Sequence, residues 1–204
     1  MTRYLAENLI ISLTACLTFL GSPACLCAEE AKLPFKIPAD YRALPVTALI
    51  DTTKGPFEIK FYRKQAPVSV ANFEYVSRSG MYNGVEFHRY VPAMLIQGGD
   101  PTGTKKGGPA WTLPPEISGE LRHARGTVGW ARLDEKINPE RRSNASQFYI
   151  TLRPVPGLDG FYTVFAQVIR GMENVDQLRP GDKIISVRFP KSAASLPEQL
   201  KDGR

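Results

Sequence analysis

The sequence has few of the side chains that perform covalent or metal-dependent catalysis. Its 204 residues include three cysteines and two histidines. The cysteines (Cys16, Cys25 and Cys27) all lie in the first 28 residues, so the rest of the chain has no thiol for a disulfide, a nucleophile or a metal site. The histidines, His88 and His123, lack zinc-ligand spacing to another histidine or acidic residue. We predict that each is a buried, hydrogen-bonded structural residue.

Nucleotide-binding motifs and concentrated charge are also missing. The glycine-rich stretch at residues 98–109 lacks the GK[ST] ending of a phosphate-binding loop, and no GxGxxG opens a helix. The net charge is only +6 and its basic residues are scattered, whereas a nucleic-acid binder usually concentrates them on one face. No pair of carboxylates stands out for acid–base hydrolysis, although this chemistry stays open. We therefore predict a protein without metal or cofactor that binds no nucleic acid.

The first 28 residues have the layout of a secretory signal. A weakly basic start precedes an apolar run over residues 9–20, and small residues follow. The run is short for a membrane span, and cleavage is expected after Ala24 or near Ala28. The stretch LTAC also resembles a lipoprotein box, which would lipidate Cys16. We predict export to a bacterial periplasm, with residues 1–28 as a signal peptide or, alternatively, as an N-terminal membrane anchor.

The remaining chain is long enough for one globular domain. Proline-rich residues 29–45 are expected to form a linker or wrapping arm, residues 46–190 the domain, and residues 191–204 a fraying tail. The domain opens with two β-type runs, Val46–Asp51 and Phe57–Tyr62, around a Lys-Gly-Pro turn that predicts a hairpin.

A helix is expected to follow the hairpin. Pro67 suits its first turn, Val70, Phe73 and Val76 recur at helical spacing, and Gly80 is a plausible stop. A second short helix is expected over Gly171–Leu178. Six further β-type runs are Val85–Arg89, Met94–Gln97, Thr127–Ala131, Gln147–Leu152, Thr163–Ile169 and Lys183–Phe189. About eight strands and two helices with long loops indicate an antiparallel barrel or sandwich.

One stretch combines a fixed cation, an apolar run and an amide with nothing reactive. It is FHRYVPAMLIQGGD, with Arg89 at its start and Gln97 near its end. Rotation about an X–Pro peptide bond needs no nucleophile, metal or cofactor, because its barrier comes from amide resonance. A guanidinium aimed at the prolyl nitrogen would stabilise the twisted state more than the planar one. The stretch therefore has the groups that such a reaction requires.

Several blocks in order resemble the cyclophilin-type peptidyl-prolyl isomerases. They are FHRYVPAMLIQGGDPTG, RGTVGWAR, SNASQFYITL and LDGFYTVFAQVIRGMENVDQL, and the resemblance runs from about Val46 to Phe189. It implies a mainly β fold, a closed eight-stranded antiparallel β-barrel capped by two α-helices, with a substrate groove on the outer surface. It also implies an enzyme that isomerises X–Pro bonds in unfolded or flexible polypeptides during the folding of exported proteins. We expect a monomer.

The resemblance assigns roles by position. Arg89 matches the catalytic arginine, Gln97 the glutamine that orients it, and Gln147 a second groove glutamine. The residues implied in substrate binding are the apolar pocket Met94, Leu95, Tyr149 and Leu158, the groove edge Ala131 and Arg132, and the rim residue Tyr162.

The chain departs from the family pattern in the pocket. Met94 and Tyr149 stand where studied members have phenylalanine, and Leu95 where they have methionine; the hydroxyl of Tyr149 needs a partner. Tyr162 replaces a histidine, and asparagine is common at the Arg132 position. Gly157 replaces a tryptophan that contacts cyclosporin, which predicts weak drug sensitivity.

Two other functions stay open from the sequence. The altered pocket would also suit a binding or chaperone module that holds proline-containing segments with little turnover. The long loop from Arg132 to Asn144 would suit a structural subunit with a docking site, although a solvated surface loop is the simpler interpretation. Trp130 is expected to pack in the barrel or line a neighbouring groove pocket, without a chemical role.

Overall fold

The computed structural model describes residues 32–190 of the chain. Within this range there are ten β-strands, two α-helices and two 3₁₀ turns, Tyr41–Ala43 and Pro156–Leu158. The strands are β1 (Thr47–Thr52), β2 (Phe57–Phe61), β3 (Phe87–Val91), β4 (Leu95–Gly98), β5 (Thr112–Leu113), β6 (Thr127–Trp130), β7 (Ser143–Asn144), β8 (Phe148–Thr151), β9 (Val164–Arg170) and β10 (Ile184–Arg188). The helices are α1 (Pro67–Arg78) and α2 (Met172–Gln177).

Eight strands form one antiparallel sheet in the order β10-β1-β2-β9-β6-β8-β4-β3. The predicted mainly β fold with eight strands and two helices is confirmed. The word "closed" overstates it, because the edge strands β3 and β10 meet through a single bridge, Glu86 with Lys183. The sheet is thus curled, and its edges meet only over the short stretch around that bridge, where Phe87 N–H donates to the Asp182 carbonyl and Ile184 N–H to the Val85 carbonyl. A separate pair, β5 with β7, was not predicted, because two-residue strands carry no readable alternation.

Both helices lie where the sequence predicts them. Helix α1 begins at Pro67, buries Val70, Phe73 and Val76, and is followed by Gly80 in the left-handed region at φ 76°. Helix α2 is shorter than expected at its start, because Gly171 is its N-cap in a left-handed conformation. The two helices complete the core that the sheet encloses.

The core sits on the inner face of the sheet. Inward-facing residues of the central strands, such as Ile96, Phe148 and Trp130, belong to one buried hydrophobic cluster. Trp130 stacks on Phe165 with ring centroids 4.3 Å apart, so its predicted packing in the barrel is confirmed. Since side chains alternate along a strand, the neighbours of these residues point outward. That outer face carries the residues expected to form the site.

The proline-rich arm lies against the domain from residue 32. Leu33 and Phe35 pack against the core cluster, and the Arg63 guanidinium donates to the carbonyls of Arg42 and Leu44. None of the helices within residues 32–190 has both the length and the apolar character to span a membrane. The predicted signal peptide or anchor (residues 1–28) and the predicted tail (residues 191–204) lie outside the described residues.

Candidate active site

Sheet register brings four residues into one row on the outer face. Arg89 on β3 pairs with Gln97 on β4, Gln97 pairs with Tyr149 on β8, and Tyr149 pairs with Gly129 on β6. Directly paired residues in an antiparallel sheet lie about 4.5–5.5 Å apart at Cβ. A cation, an amide and an aromatic ring therefore stand side by side, although they come from residues 89 to 149 of the chain.

A hydrogen-bond relay orients the cation. Arg89 Nη1 donates to Gln97 Oε1 at 3.0 Å, and Gln97 Nε2 donates to Gln147 Oε1 at 2.9 Å. Gln147 Nε2 then donates to the Gly107 carbonyl at 2.7 Å. Because the chain of donors ends on a carbonyl, which only accepts, each amide is held in one orientation. The exposed guanidinium is thus tied to a buried glutamine and a loop backbone.

The expected apolar pocket residues occupy neighbouring segments. Leu95 lies two residues before Gln97 on the same face, and both Leu95 and Tyr149 are almost fully buried. Met94, half-buried, accepts the Leu152 N–H at its carbonyl, which ties it to the end of β8. Leu158 ends the second 3₁₀ turn and lines a cavity of about 490 Å³.

The Tyr149 ring lies flat over the backbone of β6. A Cβ placed on Gly129 would come within 2.5 Å of the Tyr149 hydroxyl oxygen and 2.6 Å of its Cζ. Any larger residue there would displace the ring. Sequence reasoning gave Gly129 no role, and the only signal for it was its place between Val128 and Trp130 in a strand-like run.

The hydroxyl of Tyr149 has the partner that its burial requires. His123, 2% exposed, lies with Nε2 at 2.9 Å from that hydroxyl and Nδ1 at 2.7 Å from Asp159 Oδ1. Burial lowers the pKa of His123, although Asp159 acts against this, so the imidazole is neutral. A carboxylate only accepts, so Nδ1 carries the proton and Nε2 accepts from the phenol.

The carboxylate at the end of this network is ionised. Partial burial acts to raise the pKa of Asp159, but the hydrogen bonds from His123 outweigh it and the net pKa lies below the usual value. Burial also raises the pKa of Tyr149 well above its ordinary value. The phenol therefore keeps its proton and donates it.

Arg132 and Tyr162, which the sequence predicts at the edge and rim of the groove, contact each other. The Arg132 guanidinium lies 4.5 Å from the Tyr162 ring centroid and donates to the Phe161 carbonyl and to Glu135. Its side chain is only 4% exposed. The Tyr162 ring meets Tyr149 edge-on at 6.0 Å. The Arg132 side chain thus ties the long loop to the segment that carries Tyr162.

The predictions for Ala131, for the two histidines and for Gly157 have different outcomes. Ala131 lies half-buried at the end of β6, with its N–H donating to the Gln147 carbonyl. His123 is buried and hydrogen-bonded as predicted, but His88 is only half-buried and its Nε2 has no hydrogen-bond partner among the described residues. Gly157 is exposed and an added Cβ would meet nothing within 4 Å, so weak cyclosporin binding stays a prediction.

The fold and the site together define a class of protein. An antiparallel curled sheet carries on its outer face an oriented guanidinium beside nearly buried apolar side chains. The row of Arg89, Gln97, Tyr149 and Gly129 contains no serine, cysteine or carboxylate that could act as a nucleophile. Such a surface suits a non-covalent isomerase that binds an extended peptide.

Comparison with known proteins agrees with this class. The family model for the cyclophilin type peptidyl-prolyl cis-trans isomerases matches residues 47–191. A peptidyl-prolyl cis-trans isomerase of Synechococcus elongatus is 39% identical over 149 residues, which cover 72% of this chain and 98% of that protein. One from Arabidopsis thaliana is 41% identical over 137 residues, or 66% and 80% of the two chains.

Solved structures agree as well. The crystal structure of a Cryptosporidium parvum cyclophilin type isomerase is similar with a TM-score of 0.67 at 31% identity, covering 72% of this chain and 99% of that one. The chain belongs to the cyclophilin-type peptidyl-prolyl cis-trans isomerases and is an enzyme of that activity.

Proposed function

We propose that Arg89 is the catalytic group and that the proline binds against Leu95, Tyr149, Met94 and Leu158. The observation that carries this proposal is the relay from Arg89 through Gln97 to Gln147, which fixes an exposed guanidinium beside a nearly buried apolar surface. A crystal structure of the Cryptosporidium relative in the presence of the dipeptide Ala-Pro supports a proline-containing substrate.

The proposed mechanism follows from the electronic structure of the imide bond. Twisting it breaks a resonance that sets a barrier of about 18–20 kcal/mol. In the twisted state the prolyl nitrogen is pyramidal and has a basic lone pair, which accepts a hydrogen bond from the guanidinium. The planar ground state has no such lone pair, so the interaction favours the transition state. Stabilising that state by about 7 kcal/mol would accelerate rotation roughly 10⁵-fold.

The relay has a specific part in this mechanism. Gln97 accepts from one guanidinium nitrogen, and the other N–H groups of Arg89 have no acceptor within residues 32–190, so they can donate to a bound peptide. Gln147, only 4% exposed, holds Gln97 in turn. The cation is therefore in place before substrate arrives, and little reorganisation is needed in the transition state.

Replacement of Arg89 tests the proposal. We expect Arg89→Ala to lower kcat/KM for an Ala-Pro peptide by about 10²–10³-fold, since one transition-state donor is lost. NMR exchange spectroscopy measures cis–trans interconversion and peptide affinity in the same sample. Arg89→Lys should retain charge but lose the planar donor geometry and give an intermediate rate.

The matched control is Arg78→Ala, which removes the same charge from the exposed side of α1. Equal rates for wild type and Arg89→Ala would overturn the catalytic role. Retained peptide affinity with no interconversion in the wild type would instead support the binding or chaperone function. Sedimentation of the same samples checks the expected monomer.

We further propose that the enzyme is exported and acts on proline-containing segments of proteins that fold in the bacterial periplasm. Support comes from the order of basic, apolar and small residues in positions 1–28. N-terminal mass spectrometry of protein from its native host should find a start near residue 25 or 29. A lipid on Cys16 or an intact Met1 would show the anchored form instead.

A further inference from the structure

A second cavity adjoins the proposed catalytic relay. Its volume is about 630 Å³, and Gln97, Gln147 and Ala131 line its sheet side. Leu133 and Ile137, from the long loop, line the opposite side. We call it the loop cavity. Because it shares two glutamines with the relay, an extended peptide lying over Arg89 continues into it within two or three residues, at about 3.3–3.6 Å per residue.

The charge lining the loop cavity is of one sign. Lys105, Lys106, Arg132 and Arg142 line it, and no aspartate or glutamate is among its lining residues in the described part of the chain. Arg132 is already paired with Glu135. Within residues 32–190, the Arg142 guanidinium donates to the hydroxyl and carbonyl of Thr112, which are neutral, and has no acidic partner.

The backbone of the loop that carries the two lysines is held in place. Asp100 accepts hydrogen bonds from the backbone of Thr102 and Gly107, which closes the loop on either side of Lys105 and Lys106. The Gly107 carbonyl in turn accepts from Gln147. Neither lysine forms an ion pair within residues 32–190. Together with Arg142, they give the loop cavity three positive charges, although Lys105 also lines the neighbouring cavity that contains Glu86 and Asp100.

The acidic residues of the long loop do not line the loop cavity. Asp134 and Glu135 line the neighbouring cavity that contains Leu158, and Glu135 is paired with both Arg132 and Arg141. Leu133 and Ile137, 63% and 73% exposed, face the loop cavity instead. Several cations of one sign around a cleft raise the local concentration of an anion, and the protein behind them focuses that attraction.

We propose that the loop cavity selects substrates with a carboxylate side chain two or three residues from the proline. This inference rests on the proposed function, since it requires the peptide to lie over Arg89. Lys105, Lys106 and Arg142 are specificity-determining residues, and the apolar side chains of the loop contact the stem of the bound Asp or Glu. The attraction strengthens substrate binding and does not act on the imide bond.

The test uses one host peptide with a single Ala-Pro bond. Glu, Gln or Lys is placed in turn two or three residues before or after the proline, and NMR exchange gives kcat and KM after correction for the uncatalysed rate. We expect at least one position where Glu is preferred to Lys about tenfold in kcat/KM at low salt, through KM and with kcat unchanged. The preference should largely vanish at about 1 M salt, where the Debye length is about 3 Å.

Two double variants locate the effect. Lys105→Glu/Lys106→Glu should reverse the preference. Lys36→Glu/Lys60→Glu makes the same change in net charge at exposed positions of the arm and β2, and should leave it intact. Equal KM values for Glu, Gln and Lys peptides at every position would overturn the proposal, as would an equal effect of both variants.

The result can be separated from failure of the proposed function. Peptide dissociation constants are measured from the same NMR titrations, with wild type and with Arg89→Ala. If Arg89 proves dispensable for turnover, the order of affinities for Glu, Gln and Lys peptides still decides the selectivity. If Arg89 is essential for turnover but the dissociation constants of the Glu, Gln and Lys peptides are equal, only the proposed carboxylate preference is wrong.

Discussion

At the scale of single residues, Tyr149 joins the apolar surface to a buried polar network. Its ring covers Gly129, while its hydroxyl donates to His123, which is fixed by Asp159. The sequence indicated that this hydroxyl would need a partner, and the structure supplies one 26 residues earlier in the chain. The polar atom thereby lies at the Gly129 end of the row, and His123 satisfies its hydrogen bond there.

Tyr149→Phe tests that network. The substitution leaves the ring in place but strips buried His123 Nε2 of its hydrogen bond, and we expect the free energy of unfolding to fall by about 1–3 kcal/mol. Isomerase activity should change little, because the apolar surface is kept. Urea denaturation and the NMR exchange assay measure the two quantities.

Tyr162→Phe serves as the comparison for this variant. Tyr162 is half-buried, and its ring contacts with Tyr149 and Arg132 do not need the hydroxyl. The loss of stability should stay within about 0.5 kcal/mol. If Tyr149→Phe is as stable as Tyr162→Phe, the hydrogen bond to His123 contributes nothing.

At the scale of elements, helix α1 depends on a residue far from it in sequence. Its N-cap, Ala66, has no side chain that can accept a hydrogen bond. Glu116 supplies the cap instead, with its two carboxylate oxygens accepting from Val68 N–H and Ser69 N–H at 2.8 Å each. A carboxylate at a helix start also meets the positive end of the helix dipole.

Removing this cap should destabilise the domain without touching the site. We expect Glu116→Ala to cost about 1–2 kcal/mol of unfolding free energy, as for other lost N-caps. Glu120→Ala, at an exposed position four residues later, should have little effect. Thermal and urea unfolding of both variants measure this, and kcat/KM at 25 °C should be unchanged in each. Equal stability of the two variants would contradict the capping role.

At the scale of the whole molecule, two histidines link stability to pH. Burial lowers the pKa of His123 and of His88, with nearby carboxylates opposing it in both cases. The folded state therefore binds fewer protons than the unfolded state when the pH falls below about 6.5, the ordinary histidine value. Stability is full above that pH and is lost as the pH falls toward the lowered folded-state values.

Two kinds of carboxyl group titrate at lower pH, with opposite signs. Partial burial acts to raise the pKa of Asp100, Asp159 and Asp182, but hydrogen bonds outweigh it and each pKa lies below the ordinary value of 3.8. Further stability is therefore lost as the pH falls below about 3.8. Burial raises the pKa of Glu116, so the folded state takes up that proton first and gains relative stability.

The measurement is unfolding free energy against pH, with proton uptake from calorimetry in two buffers. Between pH 7 and about pH 5, we expect uptake on unfolding that approaches at most about two protons. A free energy of unfolding that does not change across that range would show that both histidines have the same pKa in the folded and unfolded states.

Local sequence patterns are enough to predict the elements and the central residues of the site. Alternating apolar residues and turn signals are local, so all eight strands of the main sheet and both helices could be predicted within a few residues. Arg89 and Gln97 are eight residues apart in one hairpin, so their pairing follows from a local turn. Because side chains alternate along a strand, Leu95 and Gln97 lie on one face of β4 and Ile96 lies on the other.

Only the tertiary structure decided the contacts between distant segments. Three examples are the bond of Tyr149 to His123, the capping of α1 by Glu116, and the cluster of Lys105, Lys106 and Arg142. Each depends on the path of a loop, which no local sequence pattern predicts. The edges of the sheet likewise meet over a short stretch around the Glu86–Lys183 bridge rather than along whole strands, because closure depends on the curl accumulated over eight strands. Local periodicity determines on which face of a strand or helix a side chain lies. Strand register and the path of the loops determine which side chains it contacts there.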